Sequence, residues 1–269
     1  MRNLLLAAAV LAGASLAGWQ PAVASSTGWY QVEGGSVRLI TTGLPDAEGK
    51  LRGVLDINLN PGWKTYWRDP GDAGVPPQVD VSKSSAFKSA EIDFPVPQRH
   101  DDGYSKWAGY DYPVSLPVTF MLKQPDQSGS LEADVFLGIC QTICIPVQTS
   151  FTLDPDSDPD NFEDQAAVEA AFKALPAPAT PEFGIDKVSG NSHELVVEAK
   201  LPAGATDADL YLAGDDAYQL GAPERQEAGG KLLFKVPVLS VPAAVRMEGG
   251  LHYTLVAGDK AVSGILPYF

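Results

Sequence analysis

Short apolar runs separated by glycine and proline dominate the chain between residues 36 and 153. The run from Val54 to Leu59 alternates apolar and polar positions, which is typical of a strand with one buried face. Similar runs recur without helical segments between them, so the pattern predicts an antiparallel β-sandwich. The strands predicted in this half cover residues 37–40, 54–59, 63–67, 114–122, 131–137 and 147–153.

The pattern changes after residue 153. Asp158 is predicted to cap a helix that has Pro159 in its first position, and helical residues are expected over 161–175. The proline-rich segment 176–181 predicts a stiff, extended linker. Further strand-like runs predict a second, smaller β-sandwich, which we interpret as a docking or spacer module. These runs cover residues 194–199, 209–212, 231–236, 252–256 and 261–266.

The start of the chain is typical of a secretory signal. Arg2 supplies a charged start, residues 4–16 are largely apolar, and residues 22–24 form a small-residue cleavage site. The apolar run is too short for a comfortable membrane span. We therefore expect an exported, soluble protein in an oxidising compartment. The predicted all-β organisation is a signal peptide at 1–24, a first sandwich at 25–155, a helix and linker at 156–181, and a second sandwich at 182–269.

The charge balance narrows the class of partner. The 269 residues include 19 lysines and arginines against 34 aspartates and glutamates, a formal net charge of −15. This excess of acid argues against nucleic acid or an anionic membrane as a partner. A basic protein partner remains compatible with it, although an acidic composition also serves solubility.

The chain has two cysteines, Cys140 and Cys144, between the predicted strands 131–137 and 147–153. Two strands joined by a few residues make a hairpin, so the cysteines would face each other across its mouth. Pro146 cannot donate to a strand ladder, which suits a strand start or an edge. We expect the pair at an accessible end of the sandwich.

Three interpretations of the pair compete. A structural disulfide closing so short a loop would contribute only about 2 kcal/mol. Copper(I) on two thiolates is a second interpretation, but no histidine lies within 35 residues of the pair, and zinc would lack two of its four usual ligands. A redox-active dithiol is favoured, because accessible disulfides are the labile ones.

A second candidate segment runs from His100 to Tyr112 and carries four aromatic residues. These aromatics could simply cover the end of the sandwich. Alternatively, a mobile aromatic could shield a disulfide until a partner displaces it, while Asp101 and Asp102 disfavour a thiolate electrostatically. The segment 62–77 is also rich in aromatics and glycine, and by itself it indicates only a rigid turn at a domain end.

Three segments together resemble the periplasmic amino-terminal region of the DsbD/ScsB thiol-disulfide reductases. They are Gly62–Gly74 (GWKTYWRDPGDAG), residues 100–112 with the following Leu116-Pro-Val-Thr119, and Ile143-Cys-Ile-Pro146. The resemblance covers about residues 30–155, and the second sandwich is similar in kind to the extra domain of the ScsB-like branch. It implies an immunoglobulin-like fold in the periplasm and no bound cofactor or metal.

The resemblance also implies roles for particular residues. Cys140 and Cys144 would be the redox pair, with Cys144 as the exchange sulfur and Cys140 as the resolving one. The family's aromatic cap falls at or near Tyr104, and Asp101 and Asp102 occupy its acidic positions. DsbD itself spaces its cysteines more widely and carries phenylalanine in its cap, so this chain departs from that pattern.

The expected activity is that of a protein-disulfide reductase acting as an electron relay. Electrons would come from a membrane-embedded thiol-disulfide carrier and pass to a periplasmic thioredoxin-fold protein. This sequence contains neither the membrane segments nor the carboxy-terminal thioredoxin-like domain of DsbD, so we expect the donor to be a separate protein. The alternative is a module that binds copper(I) or a thioredoxin-fold partner through the same cysteines without turnover.

Overall fold

The computed structural model describes residues 25–71, 74–101, 103, 106–214, 218–241 and 249–268. The predicted signal peptide at 1–24 lies outside these residues, and so do Asp102 and Tyr104. In the part of the chain that is described, no helix is long and apolar enough to cross a membrane.

The first half of the chain is built from antiparallel strands. They are β1 (Tyr30–Val32), β2 (Gly35–Thr41), β3 (Lys50–Leu59), β4 (Thr65–Gly71), β5 (Gln78–Asp80), β6 (Phe87–Ile92), β7 (Gln98–Asp101), β8 (Lys106–Tyr110), β9 (Val114–Leu122), β10 (Leu131–Cys140) and β11 (Cys144–Leu153). The sheets have the orders β1-β2-β3-β9-β6, β11-β10-β5 and β4-β8-β7. The three-stranded sheet β4-β8-β7 is called the small sheet below.

The burial pattern of β3 explains how the main sheet is covered on both faces. Leu51, Leu55 and Ile57 alternate along the strand and enter the main core. Val54, on the opposite face, is buried against Val168 of the helix described next. The strand therefore loses its strict alternation where the helix covers its outer face.

The connecting segment contains a short 3₁₀ helix (Pro155–Ser157) and the helix α1 (Phe162–Lys173). The predicted cap at Asp158 and Pro159 was wrong, because Asp158 ends the 3₁₀ turn. Asn161 caps α1, and its side chain accepts a hydrogen bond from the backbone N–H of Asp164 at 3.0 Å. The helix was expected over 161–175 and is shorter at both ends.

The second half forms another pair of sheets. Its strands are β12 (Ala177–Pro178), β13 (Gly184–Gly190), β14 (Glu194–Lys200), β15 (Asp209–Ala213), β16 (Gln219–Leu220), β17 (Glu224–Ala228), β18 (Lys231–Ser240), β19 (Leu251–Ala257) and β20 (Lys260–Leu266). One sheet has the order β12-β20-β19-β15, and the other has β13-β14-β18-β16 with β17 also on β18. The predicted all-β fold with one short helix is confirmed. The segment 176–181, which was predicted as a stiff, extended linker, contains β12, and β12 pairs in parallel with β20.

The two halves meet at the edge strand β15. Tyr211 and Ala213 of this strand belong to the main core cluster of the first half. Arg99 of β7 forms an ion pair with Asp209 of β15, with Nε and Oδ2 3.2 Å apart. The first sandwich therefore shares part of its core with the second.

Candidate functional site

The two cysteines close the end of the β10–β11 hairpin. The register of the two strands runs without interruption from Leu131 opposite Leu153 to Cys140 opposite Cys144. The sulfur atoms form a disulfide, with the Cα atoms 4.0 Å apart. Residues 141–143 form the connecting loop. The sequence pattern had predicted this opposition across the hairpin mouth.

The two halves of the disulfide differ in exposure. Cys140 is 1% exposed, whereas Cys144 is exposed. The backbone of Cys140 is held by two hydrogen bonds to Lys64. The N–H of Cys140 donates to the carbonyl oxygen of Lys64 at 2.9 Å, and the N–H of Lys64 donates to the carbonyl oxygen of Cys140 at 2.8 Å. Cys144 follows Ile143, whose side chain is 69% exposed. A partner sulfur approaching from solvent therefore reaches Cys144 before it reaches Cys140.

Aromatic side chains of the small sheet cover the disulfide. The hydroxyl of Tyr66 on β4 lies 3.4 Å from Sγ of Cys144, and in the oxidised pair the hydroxyl is the donor, since the sulfur carries no hydrogen. The rings of Tyr66 and Trp107 meet edge to face, with centroids 6.0 Å apart. Tyr66, Trp107 and Cys140 form one buried cluster. This cluster holds Cys140, the buried cysteine of the disulfide, in place.

Two polar side chains complete the layer around Trp107. The imidazole of His100 stacks on the indole, with centroids 3.8 Å apart and planes 8° apart. The ammonium of Lys64 lies 4.3 Å from the indole centroid. Burial lowers the pKa of His100, and the charge of Lys64 lowers it further, against the opposite effect of Asp111. The ring is therefore neutral near pH 7, and Lys64 places a positive charge beside the Trp107 ring.

The acidic and aromatic cap expected from the sequence is only partly described. Asp101 is exposed at the end of β7, where its carboxylate accepts a hydrogen bond from the N–H of Gly103 at 3.0 Å and lies 3.9 Å from the ammonium of Lys106. Asp102 and Tyr104 lie outside the described residues, so the predicted cap stays a prediction.

Tyr66 is the site residue that sequence reasoning missed. It lies in the predicted strand 63–67, but the surrounding aromatic-rich segment 62–77 was given no role beyond a rigid turn. The available signal was that predicted strand, in which the adjacent aromatics Tyr66 and Trp67 point to opposite faces. Trp107 was inside the predicted aromatic segment, and the structure places it next to the buried cysteine.

The unequal exposure of the two cysteines suits thiol-disulfide exchange. An exposed cysteine paired with a buried one favours attack by an incoming thiolate at the exposed member. The described residues contain no group of three or more histidine, cysteine, aspartate or glutamate side chains that could hold a metal ion.

Comparison with protein families supports the same chemistry. The family model for the amino-terminal region of the thiol:disulfide interchange protein DsbD matches residues 42–156 of this chain, which include both cysteines. A comparison with curated proteins finds no significant match.

Comparison with solved structures supports the fold. The amino-terminal periplasmic domain of ScsB from Proteus mirabilis superposes with a TM-score of 0.71 at 22% identity, covering 91% of this chain and 100% of that domain. This likeness confirms the predicted immunoglobulin-like sandwich fold. The reduced DsbD amino-terminal domain from Neisseria meningitidis covers 42% of this chain and 83% of that domain at 13% identity, with a TM-score of 0.26.

Proposed function

We propose that this chain, whose residues 42–156 form a DsbD amino-terminal-like domain, relays electrons by thiol-disulfide exchange through Cys140 and Cys144. The family match and the disulfide within it support thiol-disulfide interchange as the reaction class. The observation that carries the proposal is the unequal exposure of the two cysteines, which suits an exchange cysteine paired with a resolving cysteine.

The proposed cycle has two exchange steps. In the reduced protein the thiolate of Cys144 attacks a partner disulfide, so that one partner sulfur leaves as a thiolate and a mixed disulfide forms. Cys140 then attacks Cys144, releases the reduced partner and closes the intramolecular disulfide. Two electrons pass to the partner in each cycle, and a dithiol donor returns them by the reverse steps.

The partners and the compartment belong to the same proposal. We assign the electron donor to a membrane-embedded thiol-disulfide carrier and the acceptor to a periplasmic thioredoxin-fold protein, with the chain exported to the periplasm. An oxidising compartment suits a cysteine pair that alternates between thiol and disulfide. Tyr104, which lies between β7 and β8 in the sequence, would shield the pair between encounters, and Asp101 and Asp102 would disfavour a thiolate electrostatically.

A trapping experiment tests the relay. A Cys140→Ala variant keeps Cys144 but cannot resolve a mixed disulfide, so we expect it to accumulate a covalent adduct when expressed with its export signal. The adduct would run as a larger species on a non-reducing gel and disappear with a thiol reductant.

The matched control is Cys144→Ala, which retains only the buried sulfur and should trap far less. Equal trapping by the two variants would contradict the assigned roles. Recovery of monomer alone from both, in cells that contain thioredoxin-fold proteins, would contradict the relay. Tight, stoichiometric copper(I) uptake by the reduced pair, lost in either variant, would favour the metal-binding alternative.

A further inference from the structure

The small sheet has two faces that contact different parts of the molecule. His100 pairs with Trp107 and Arg99 pairs with Ala108 across β7 and β8. Because side chains alternate along a strand, paired residues share a face and their neighbours point to the opposite side. The face with His100 and Trp107 covers the disulfide, and the face with Arg99 and Ala108 points away from it.

The same alternation holds along β4. Tyr66 pairs with Gly109, which is two residues from Trp107 and so shares its face. Its ring contacts Trp107 and its hydroxyl contacts the disulfide. Trp67 is the next residue and enters the main core on the opposite side. Each disulfide-facing side chain therefore has a chain neighbour on the reverse face.

The second sandwich contacts this reverse face at Trp67 and at Arg99. The ring of Tyr211 on β15 meets the indole of Trp67 edge to face, with centroids 5.8 Å apart. The guanidinium of Arg99 contacts both carboxylate oxygens of Asp209, at 3.2 and 3.4 Å. It also donates to the carbonyl oxygen of Leu210 at 2.9 Å and lies 4.7 Å from the centroid of the Tyr211 ring. The contact between the two sandwiches thus combines ring packing with a bidentate ion pair.

Ring packing decides the position of Trp67. The indole is 3% exposed, and its N–H has no hydrogen-bond partner among the described residues. Its ring neighbours are Phe94, with centroids 6.5 Å apart, and Tyr211. Removing the Tyr211 ring therefore removes one of the two ring contacts that Trp67 makes within the described part of the chain, on the strand that carries Tyr66.

We propose that the second sandwich positions the redox site: Tyr211 and Asp209 hold β4 and β7 from behind, and thereby keep Tyr66 and Trp107 against the Cys140–Cys144 disulfide. They act as positioning residues, since neither touches a sulfur. Weakening the contacts of Tyr211 and Asp209 lets the rings of Tyr66 and Trp107 move. This movement opens the Cys140 side of the disulfide to an attacking thiolate. The inference deepens the proposed function and rests on it for its biological meaning.

The experiment measures how fast dithiothreitol reduces the disulfide in the purified full chain. A thiolate of the reagent attacks the disulfide, and its second thiol then closes the oxidised ring. The Cys140–Cys144 bond breaks, a new S–S bond forms in the reagent, and the two cysteines receive two electrons and two protons. The rate is followed by quenching with an alkylating agent and counting free thiols.

Each test variant has a matched control in the second sandwich. Tyr211→Leu removes the ring contact with Trp67, and its control Phe234→Leu changes a ring that is 1% exposed in the separate core of the second half. Asp209→Asn removes the ion pair with Arg99, and its control Glu198→Gln removes the pair with Lys231, where Oε1 and Nζ are 2.7 Å apart. The controls disturb the second sandwich without touching the small sheet.

We expect reduction to be roughly three- to tenfold faster in Tyr211→Leu and about twofold faster in Asp209→Asn. Both controls should keep the wild-type rate, even where thermal denaturation shows the same loss of stability. If Tyr211→Leu does not fold, the comparison of Asp209→Asn with Glu198→Gln decides alone. Test variants that match their controls would overturn the proposal. The assay needs no protein partner, so its failure is distinct from a failure of the relay, which the Cys140→Ala variant reports.

Discussion

At the scale of single residues, the site depends on the different surroundings of two neighbouring sulfurs. Cys140 is enclosed by Tyr66 and Trp107 and tied to Lys64 through the backbone. Cys144 is exposed and has the Tyr66 hydroxyl beside it. The same hydroxyl that donates to the disulfide sulfur would donate to a Cys144 thiolate after reduction, and a hydrogen bond to a charged group stabilises the charged form.

Removal of that hydroxyl tests its contribution. In the reduced protein, Tyr66→Phe should slow alkylation of Cys144 by iodoacetamide at neutral pH by roughly two- to fivefold, because less of the thiol is ionised. The ring remains, so its contact with Trp107 and the fold should be retained. Alkylation is measured in a Cys140→Ala background, where Cys144 is the reactive sulfur.

The control for this substitution is Tyr112→Phe. Tyr112 is 40% exposed, and its ring contact is with Tyr110 rather than with the cysteine cluster. In the Tyr112→Phe variant, Cys144 should be alkylated at the rate of the parent protein. A Tyr66→Phe rate equal to that of Tyr112→Phe would show that the hydroxyl does not act on the thiolate.

At the scale of elements, the small sheet depends on a glycine at its centre. Gly109 on β8 pairs with Tyr66 on one side and with Gln98 on the other. A Cβ atom added at Gly109 would lie 2.2 Å from the carbonyl oxygen of Thr65 and 2.8 Å from Cα of Tyr66. Both neighbours are backbone atoms, so an added methyl group cannot be accommodated by a rotation of a side chain. β4 can approach β8 this closely because position 109 has no side chain.

Gly109→Ala should therefore destabilise the protein by about 2 to 3 kcal/mol, since overpacking displaces a strand instead of a side chain. The free energy of unfolding is obtained from urea denaturation. Gly28→Ala is the comparison, because a Cβ atom at Gly28 meets nothing within 4 Å. A loss at Gly109 no larger than that at Gly28 would show that the sheet tolerates the shift.

The longer strands were predictable from the sequence, whereas the small sheet was not. β3, β9, β10 and β11 carry runs of alternating or continuous apolar residues that local pattern reveals. β7 is short and polar, with the sequence QRHD, and it owes its strand form to pairing with β8. The cysteine hairpin followed from its flanking strands. The contact of Tyr66 with Cys144 joins residues 78 positions apart, and no local pattern encodes such a contact.

At the scale of the whole molecule, the two sandwiches enclose a cleft of about 230 Å³. Arg68, Glu91 and Asp93 line it from the first sandwich, and His252 lines it from β19 of the second. Burial, with a smaller effect from the charge of Arg68, lowers the pKa of His252 to about 4. Burial also raises the pKa of Asp93. The junction therefore contains groups whose ionisation depends on the folded arrangement.

His252 should make the folded protein less stable in acid. In the unfolded chain His252 is protonated near pH 6.5, whereas in the folded chain it is protonated only near pH 4. Between these values the unfolded state holds more protons, so stability falls as the pH falls through this window. Because the ring is partly exposed, solvent screening reduces the expected loss to roughly 1 to 2 kcal/mol.

The comparison of wild type with His252→Gln isolates this effect, since both proteins keep the same carboxylates, including Asp93. Urea denaturation at about pH 7 and about pH 4.5 should show the smaller loss in the variant. His193→Gln, which changes an exposed histidine, controls for the substitution itself. Parallel losses in the wild type and in His252→Gln would rule out the junction histidine as the source of acid sensitivity.

The alternating faces of the small sheet also bear on how such a protein can diversify. Along β4 and β7, a residue on the face that covers the disulfide is followed or preceded directly by one on the face that contacts the second sandwich, as Tyr66 is by Trp67 and His100 is by Arg99. Selection for a new redox partner can therefore act on one set of positions while the other set preserves the architecture. Adjacent positions of one strand can thus accumulate substitutions under two different selective pressures.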